Sequence, residues 1–485
     1  PPLQKQNPPP AASTEPPLPA PPPMVGLIRG GGPALGFPPP APAFAAAPSP
    51  PAPSPPTPSP PAPVRATPDE DDFDLDDKNK LISINPPPPP AFVGGGASKE
   101  SAEEPRPPSP GRDRALEAIA EKTSLAGADL AGADLSDLDL RENSLEGATL
   151  TGAKLLRCKL ARSRLAKANL RGADLSGADL AGADLAGADL SNAELAGAKL
   201  DGATLENAFL TGARGEGATF IDAKAAGLSL AKGYFKNADF RGLQAKGADL
   251  SGAVLTEANL AHAVLTQAKL TDVSAFRTIF QGARLEKATA INAHLAEAVL
   301  DAIVAPSSVW DGAKLDGASI QGADLTKASF VGAKLDGAKL NGSKLKGALL
   351  REASLSKAIL IEADLGGARL ARATSEGAVF DRAVLDGADL RLAKLSGATF
   401  TEASLRGVKG DNLDATRSRF DKADLRKAAF CDGTFQGADL STAQLDETDL
   451  RDADLTGTAL RETDLTNAKI EGAALGPLGS APAPL

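Results

Sequence analysis

Few residues of this chain have the type and spacing that chemistry requires. Its 485 residues include two histidines, His262 and His294, and two cysteines, Cys158 and Cys431. Metal sites need several such side chains at short spacings, and nucleophilic catalysis needs a nucleophile with a nearby base. The sequence has neither pattern, and it has no glycine-rich loop of the kind that holds phosphates. We therefore predict no catalytic residue, no metal and no cofactor, and we expect that the protein is not an enzyme.

The same four residues have structural explanations. We predict that both histidines lie on the surface, that Cys158 is a small core residue, and that Cys431 is a free surface thiol. Two cysteines are too few for a disulfide framework. The net charge of -10 is not the basic excess of a nucleic-acid binder, and no apolar run approaches the roughly 20 residues of a membrane helix. These features favour a cytoplasmic protein that binds no nucleic acid and does not insert into a membrane.

A repeat occupies most of the chain and must position any site. From Leu125 to Leu475 the centres of 71 consecutive pentads, mostly Leu, follow at every fifth position without an insertion, and a small residue such as Ala128 stands two positions earlier. Residues two apart on an extended chain share a face, so both point inward, and the Gly-rich and polar pair between centres forms a turn. Four such sides close a coil of 20 residues. The sequence therefore predicts an all-β parallel solenoid over residues 124–476.

Two patterns within the repeat support this geometry. Where the central residue is small, the residue two positions earlier is often large, as Leu243 is before Ala245, which keeps the interior filled. Gly215, Ala225, Ala290 and Ser375 lack this compensation, and we predict looser packing there. The spacing of 20 also predicts stacked side chains, and six central Phe residues share one side: Phe220, Phe240, Phe280, Phe380, Phe400 and Phe420.

The flanking segments differ from the repeat. Residues 1–111 are rich in Pro and Ala and predict a disordered linker, and residues 477–485 predict a disordered tail. Within the linker, Asp69–Asn85 is acidic and then apolar, which is consistent with a docking motif or with a solubilising patch. A short capping helix is expected over residues 112–123, with Asp113 as its N-cap and with Leu116, Ile119 and Ala120 on one side.

The repeat unit resembles that of the pentapeptide-repeat family. The family pattern Ala-(Asp/Asn)-Leu-X-X stands here as Ala173-Asp174-Leu175 and Ala183-Asp184-Leu185. This resemblance implies a right-handed quadrilateral β-helix, and it identifies a fold rather than an activity. Some members of the family bind DNA gyrase by mimicking duplex DNA. That mimicry needs a continuous negative surface, whereas each side of this solenoid sums close to neutral, although acidic segments occur at Asp129–Glu146 and Asp432–Asp454.

The function that the sequence favours is a non-catalytic protein-interaction scaffold, with the DNA-mimicking regulator or protector of gyrase or topoisomerase as the alternative. A Pro-rich tether before a solenoid, on a chain that begins at Pro1, is similar in layout to bacterial adaptor proteins of type VI secretion. That likeness implies the C-terminal part of a larger bacterial protein, delivered with a secretion apparatus.

Three outward aromatic residues, Phe209, Tyr234 and Phe276, are the candidate protein contacts. A basic cluster over Lys154–Lys167 is open to two explanations, a contact for anionic partners or a solvated surface balanced by nearby Asp residues. No helix is expected over the final coil, and exposed strand edges favour pairing. We therefore expect a homodimer through the C-terminal coils.

Overall fold

The computed structural model describes residues 110–476, which all belong to one compact unit. Its elements are one helix, α1 (Pro110–Glu121), and two short strands, β1 (Asp454–Leu455) and β2 (Ala474–Leu475), which pair in parallel. Between helix and strands the chain forms regular coils joined by single-residue parallel bridges. The expected linker, its acidic Asp69–Asn85 segment and the tail at 477–485 lie outside the described residues. None of the described helical residues form a segment suited to crossing a bilayer.

Each coil takes 20 residues and bonds to the next through its main chain. The Leu125 N–H donates to the Ser144 carbonyl oxygen at 2.8 Å, and the Thr149 N–H donates to the Ala128 carbonyl oxygen at 2.9 Å. The parallel bridges likewise join residues 20 positions apart, from Asp129 with Thr149 to Asp449 with Lys469. Because five residues make one side, four sides make a coil. The predicted four-sided β-solenoid is therefore confirmed, with roughly 18 coils and a length of about 85 Å at strand spacing.

The corners are β-turns, and the second of the two central residues of the turn has a left-handed conformation. Ala128 N–H donates to the Leu125 carbonyl oxygen at 3.0 Å, and Gly127 between them has a φ of 64°. Glycine adopts this conformation without a steric cost. Ala302, with a φ of 56°, holds the same position without that freedom. The predicted turn at the Gly-rich pair is confirmed.

The interior is filled by the predicted Leu and Ala pairs. Leu175 and Ala173, for example, are both fully buried. The stacked Phe side is also present, since the ring centroids of Phe380 and Phe400 lie 4.9 Å apart and those of Phe400 and Phe420 lie 4.8 Å apart. Stacking at this spacing follows directly from the 20-residue coil, which places identical positions one strand spacing apart.

The expectation of loose packing at Gly215 is wrong. The ring of Phe235, one coil later on the same side, occupies the space that a side chain at position 215 would take. Phe235 also packs edge-on against Phe220 at 5.8 Å and Phe240 at 5.7 Å. A large residue in the next coil can therefore replace the missing volume. Ser375 differs from Gly215, because no described group forms a hydrogen bond with its buried hydroxyl.

The capping helix begins earlier and presents another side than the sequence predicts. It starts at Pro110, so Asp113 lies in its first turn and is not its N-cap. Ala115 and Ala118 are buried against the first coil with Ile119 packed beside them, whereas Leu116 is 44% exposed and Ala120 is exposed. Small residues allow the helix axis to lie close to the coil.

The first turn of α1 is attached to the main chain of the solenoid. A Cβ added at Gly111 would lie 2.6 Å from the Ala133 Cβ, and the Arg112 guanidinium donates to the Asp134 carbonyl oxygen at 2.7 Å. The side of α1 that packs against the solenoid is therefore the one with glycine and alanine, which allow close approach, and not the one with the largest apolar side chains.

A candidate interaction surface

The surface of the solenoid consists of four ladders, one for each side. Each ladder contains the outward residues that recur at every twentieth position, and we name the four by one member: the Phe209, Tyr234, Ile279 and Val304 ladders. The Phe209 ladder starts at Asp129, the Tyr234 ladder at Asp134, the Ile279 ladder at Asp139 and the Val304 ladder at Ser144. Neighbouring ladders meet at the corners. Any binding site on the described sides is therefore built from these ladders and the turn residues between them.

The structure places the three predicted aromatic contacts on different parts of this surface. Phe209 lies on its ladder between Asp189 and Ser229 and is 52% exposed. Tyr234 lies on the adjoining side, roughly one coil further along, and Phe276 lies at a corner about 10 Å beyond Tyr234. The three residues therefore do not form one cluster.

Two of these aromatic rings are partly covered by arginine. The Arg214 Cζ lies 5.4 Å from the Tyr234 ring centroid, and the Arg277 Cζ lies 4.7 Å from the Phe276 ring centroid. Exposed cation–π pairs of this kind contribute about 0.5–1 kcal/mol. Phe209 has no such pair among the described residues, so it is the aromatic side chain most available to a partner.

The frequent Asp residues serve the corners. The Asp174 carboxylate accepts a hydrogen bond from the Ser176 N–H at 3.0 Å, and Asp179 accepts one from the Ala181 N–H at 3.1 Å. These contacts satisfy turn N–H groups that have no other partner, which is the usual role of an Asx turn. The acidic residue in the repeat is therefore explained by the turn that follows it.

The basic cluster at Lys154–Lys167 lies between acidic neighbours. On the Tyr234 ladder Lys154 is bridged to Asp134 below and Asp174 above, and on the Ile279 ladder Lys159 has Asp139 and Asp179 in the same positions. At the corner, the Arg157 Nε lies 2.8 Å from the Asp137 carboxylate. Charges of opposite sign thus alternate from coil to coil, which supports the explanation that this cluster is a balanced surface.

A second basic region was missed by sums over whole sides. Arg351, Arg369, Arg391 and Lys409 line a surface groove of about 410 Å³ together with Asp389, and glycine or alanine at neighbouring corners leaves the groove open. Asp389 binds Arg391 at 2.7 Å. Arg351 also pairs with Glu352 at 4.0 Å, so Arg369 and Lys409 are the two lining cations without an ion pair among the described residues, and they leave the groove positive. The spacing of 40, or two coils, between Arg351 and Arg391 and between Arg369 and Lys409 was the available signal in the sequence.

Asp424 is the most enclosed carboxylate of the described surface. It is 8% exposed and binds two guanidinium groups, those of Arg426 and Arg406. Hydrogen bonds from Arg426 lower the pKa of Asp424 to about 2, more than desolvation raises it, and Arg406 acts in the same direction. This arrangement joins two coils. It has no base or nucleophile beside it that would suggest catalysis.

The histidines and cysteines do not form a site. His262 is a corner residue with a φ of 60°, and the pKa of His294 is lowered by burial and by Lys314. Cys158 is buried with its Sγ 3.2 Å from the Leu138 carbonyl oxygen, and burial raises its pKa to about 12. Cys431 is a partly exposed free thiol. The described residues contain no group of His, Cys, Asp and Glu with the geometry of a metal site.

Comparison with known families identifies the repeat. A family model described as pentapeptide repeats matches eight stretches that together exceed half of the chain: residues 121–160, 158–197, 193–227, 234–272, 311–342, 339–374, 376–409 and 443–476. No curated protein matches the chain.

Several solved structures are similar over part of the chain. HetL, a pentapeptide repeat protein involved in heterocyst differentiation regulation from the cyanobacterium Nostoc sp. strain PCC 7120, is 28% identical; the match covers 51% of this chain and 96% of HetL, with a TM-score of 0.25. QnrB1, a plasmid-mediated fluoroquinolone resistance protein, is 23% identical over 36% of this chain and 92% of its own, with a TM-score of 0.29. A thylakoid lumen protein from Arabidopsis thaliana is 29% identical over 20% and 63% of the two chains, with a TM-score of 0.17.

Proposed function

The chain belongs to the pentapeptide-repeat family, and on this basis we propose that its solenoid is a non-catalytic scaffold that binds protein partners through its flat sides. The family repeat implies a right-handed β-helix. One observation carries the proposal: the bridges run from Asp129 to Lys469 with a constant spacing of 20, so no loop leaves the described corners. Loops hold most catalytic and binding residues in other folds. In this solenoid the ladders of outward side chains provide the binding surface instead of loops.

We propose Phe209, Tyr234 and Phe276 as contacts for a protein partner. Phe209 carries the largest weight because half of its ring is exposed and no arginine covers it among the described residues. Aromatic side chains are frequent at the centres of protein interfaces. The three residues lie on two adjoining sides and the corner beyond them, so one partner would have to span several coils.

An affinity experiment tests this contact. Partners captured from the native host by the full chain are identified, and the dissociation constant of the purified pair is measured for wild type and for Phe209→Ala. We expect at least a tenfold weakening, the usual loss at a central aromatic residue. Leu392→Ala, at a corner where the side chain is 48% exposed, is the matched control and should bind as wild type does. Equal affinity of Phe209→Ala and wild type would exclude this contact.

The alternating charges argue against the alternative function, a DNA mimic that regulates or protects gyrase or topoisomerase. The ladders place Lys154 between Asp134 and Asp174, and further cations such as Lys314 and Lys334 stack directly on each other. Such sides do not present the dense negative charge of duplex DNA. A supercoiling assay with purified gyrase provides the test, and inhibition or protection at stoichiometric amounts would favour the mimic over the scaffold.

The proposal also covers the cellular location of the scaffold and its self-association. We place it in the bacterial cytoplasm as part of a larger secretion-associated adaptor, on the likeness of layout alone, and none of the relatives described above is a secretion protein. Secretion is tested by comparing the culture supernatants of a host strain and of a strain that lacks the type VI apparatus. We also place a homodimer contact at the C-terminal coils, which a substitution at Leu475 would weaken.

A further inference from the structure

The Ile279 ladder contains two apolar pairs that repeat one another. Ile279 is bridged to Val299, and four coils further along Ile359 is bridged to Val379. All four side chains are partly exposed. On the adjoining side, five residues after the second member of each pair, stand Val304 and Val384, which are 37% and 40% exposed. The surface thus has two matched apolar patches on one edge, about 19 Å apart at strand spacing.

Strand propensity alone does not explain this arrangement. β-Branched residues suit outward strand positions, so single exposed Ile or Val residues are ordinary. The Tyr234 ladder has one adjacent apolar pair, Tyr234 and Val254, and is polar between Ser274 and Lys394. The Phe209 ladder carries its large apolar residues singly. Recurrence of the same pair at a fixed distance is confined to the Ile279 ladder among the described sides.

The residues of this ladder, taken from the first coil to the last, complement the same residues taken from the last coil to the first. If two copies lie side by side and antiparallel, with the two-fold axis midway between Ser319 and Lys339, residue n of one copy faces residue 658 minus n of the other. Ile279 then faces Val379, Val299 faces Ile359, and Ser319 faces Lys339. Apolar residues therefore meet apolar residues, and the polar centre contains no pair of like charges on the ladder.

Charge complementarity extends this match beyond the apolar patches. Asn259 faces Thr399, and Asp239 faces Arg419. Within one copy Asp239 already pairs with Arg241 at 2.6 Å, and Arg419 pairs with Asp421 at 3.2 Å. The antiparallel arrangement brings these two ion pairs together in opposite orientation, so that each positive group approaches a negative group. Such patterns fix the register of an interface.

A parallel arrangement of the same sides lacks this complementarity. With the two-fold axis along the solenoid, each ladder residue faces its own copy, which opposes Lys339 with Lys339, Arg419 with Arg419 and Asp239 with Asp239. Juxtaposed like charges oppose association. We propose that a second copy of this chain binds antiparallel to the Ile279 ladder, with each Ile–Val pair on the ladder of one copy covering the other pair of its partner. The interface is isologous, as expected of a two-fold dimer.

Cross-linking between two different single-cysteine chains tests the register. In a Cys431→Ser background, in which Cys158 stays buried and has a raised pKa, one chain carries Ile279→Cys and a tagged chain carries Val379→Cys, so that each has one accessible thiol. A bis-maleimide of about 10 Å, the distance between packed sheets, should link the two chains in the mixture. The Ile279→Cys chain alone should not form linked dimers, because its two cysteines would lie five coils apart, or about 24 Å. Linkage within the Ile279→Cys sample, or none in the mixture, would overturn the proposed arrangement.

A second measurement separates this contact from one at the ends of the solenoid. Sedimentation equilibrium of the full chain with Leu475→Lys, which removes the end contact, should give a dimer whose dissociation constant rises at least tenfold when Val299→Lys is added. Val309→Lys, at an equivalent outward position on the opposite side, is the matched control and should leave the constant unchanged. Circular dichroism confirms that both variants fold. An unchanged constant for Val299→Lys would contradict the proposal even where the chain is dimeric through its C-terminal coils.

Discussion

The Arg426 guanidinium holds the Asp424 carboxylate through two hydrogen bonds, of 2.9 Å from Nε and 2.7 Å from Nη2. Both residues lie on one coil, while Arg406, the second partner of Asp424, lies on the coil before it. The carboxylate therefore connects neighbouring coils at a corner. The carboxylate side chain is only 11% exposed, but the Arg426 and Arg406 side chains are 39% and 55% exposed, so solvent screens part of these contacts.

The first prediction concerns the pH dependence of this contact. The pKa of Asp424 falls from 3.8 to about 2 on folding, so the charged form is favoured in the folded state. Its contribution to the free energy of unfolding, about 1 kcal/mol once screening at the exposed guanidinium groups is included, is complete above about pH 5 and is lost as the pH falls through 2. Asp424→Asn should remove this contribution at pH 6 and change little at pH 2. Urea denaturation at the two pH values measures it.

A matched substitution isolates the guanidinium contacts. Asp414 accepts a turn N–H from Thr416, as Asp424 does from Arg426, but it has no ion pair among the described contacts. Asp414→Asn should therefore cost less than half as much at pH 6. A loss for Asp424→Asn that is no larger than this control would show that the two arginine residues add nothing to stability.

The second prediction concerns the position that the sequence led us to misjudge. Gly215→Ala places a methyl group where the Phe235 ring lies, and overpacking of this kind costs about 1–3 kcal/mol. Replacing the ring as well, in Gly215→Ala with Phe235→Leu, should cost less than the sum of the two single substitutions. The coupling free energy from a double-mutant cycle is the measurement. Strict additivity would mean that the ring does not fill the space beside Gly215.

Gly215 also shows where inference from the sequence stopped. The period of five fixed the inward residues, the corners and the coil length, because these follow from one extended side and one turn. Which residue fills the space beside a small central residue depends on the side-chain conformations of its neighbours. For Gly215 that residue is Phe235, one coil away. The helix face failed similarly, since close approach through Ala115 and Ala118 mattered more than the apolar size of Leu116. Neither choice is set by spacing.

The candidate surface was predicted only in part for a related reason. Exposed aromatic residues such as Phe209 can be read from their outward positions, but sums of charge over a whole side hide local order. The groove beside Arg369 and the two apolar pairs on the Ile279 ladder become visible only when residues 20 apart are compared as neighbours. To recognise such patterns, one must first know the coil length and then the position of each residue along its ladder.

The third prediction uses the left-handed corners. Ala302 has a φ of 56°, a conformation that costs an L-residue about 1 kcal/mol relative to glycine. Ala302→Gly should therefore raise the free energy of unfolding by up to about 1 kcal/mol. Gly332→Ala is the reciprocal change, and it should lower the free energy of unfolding by a similar amount. A Cβ there meets no atom within 4 Å, so the backbone conformation alone causes this loss. Chemical denaturation of both variants provides the measurement, and shifts of equal sign would contradict the backbone explanation.

The last prediction concerns the proposed dimer contact at the C-terminal coils. Leu455 is 2% exposed beneath a following coil, whereas Leu475, one coil later on the same side, is 47% exposed, and Leu460, Leu465 and Ile470 are only partly buried. No described residue pairs with the outer edge of this last coil, and apolar residues and main-chain groups at such an edge favour association with a second edge. Leu475→Lys should therefore weaken self-association measured by light scattering, while Leu116→Lys, on the exposed side of α1, should not. If the lateral contact also forms, Leu475→Lys and Val299→Lys together should give a monomer. A wild-type chain that is monomeric at high micromolar concentration would exclude both contacts.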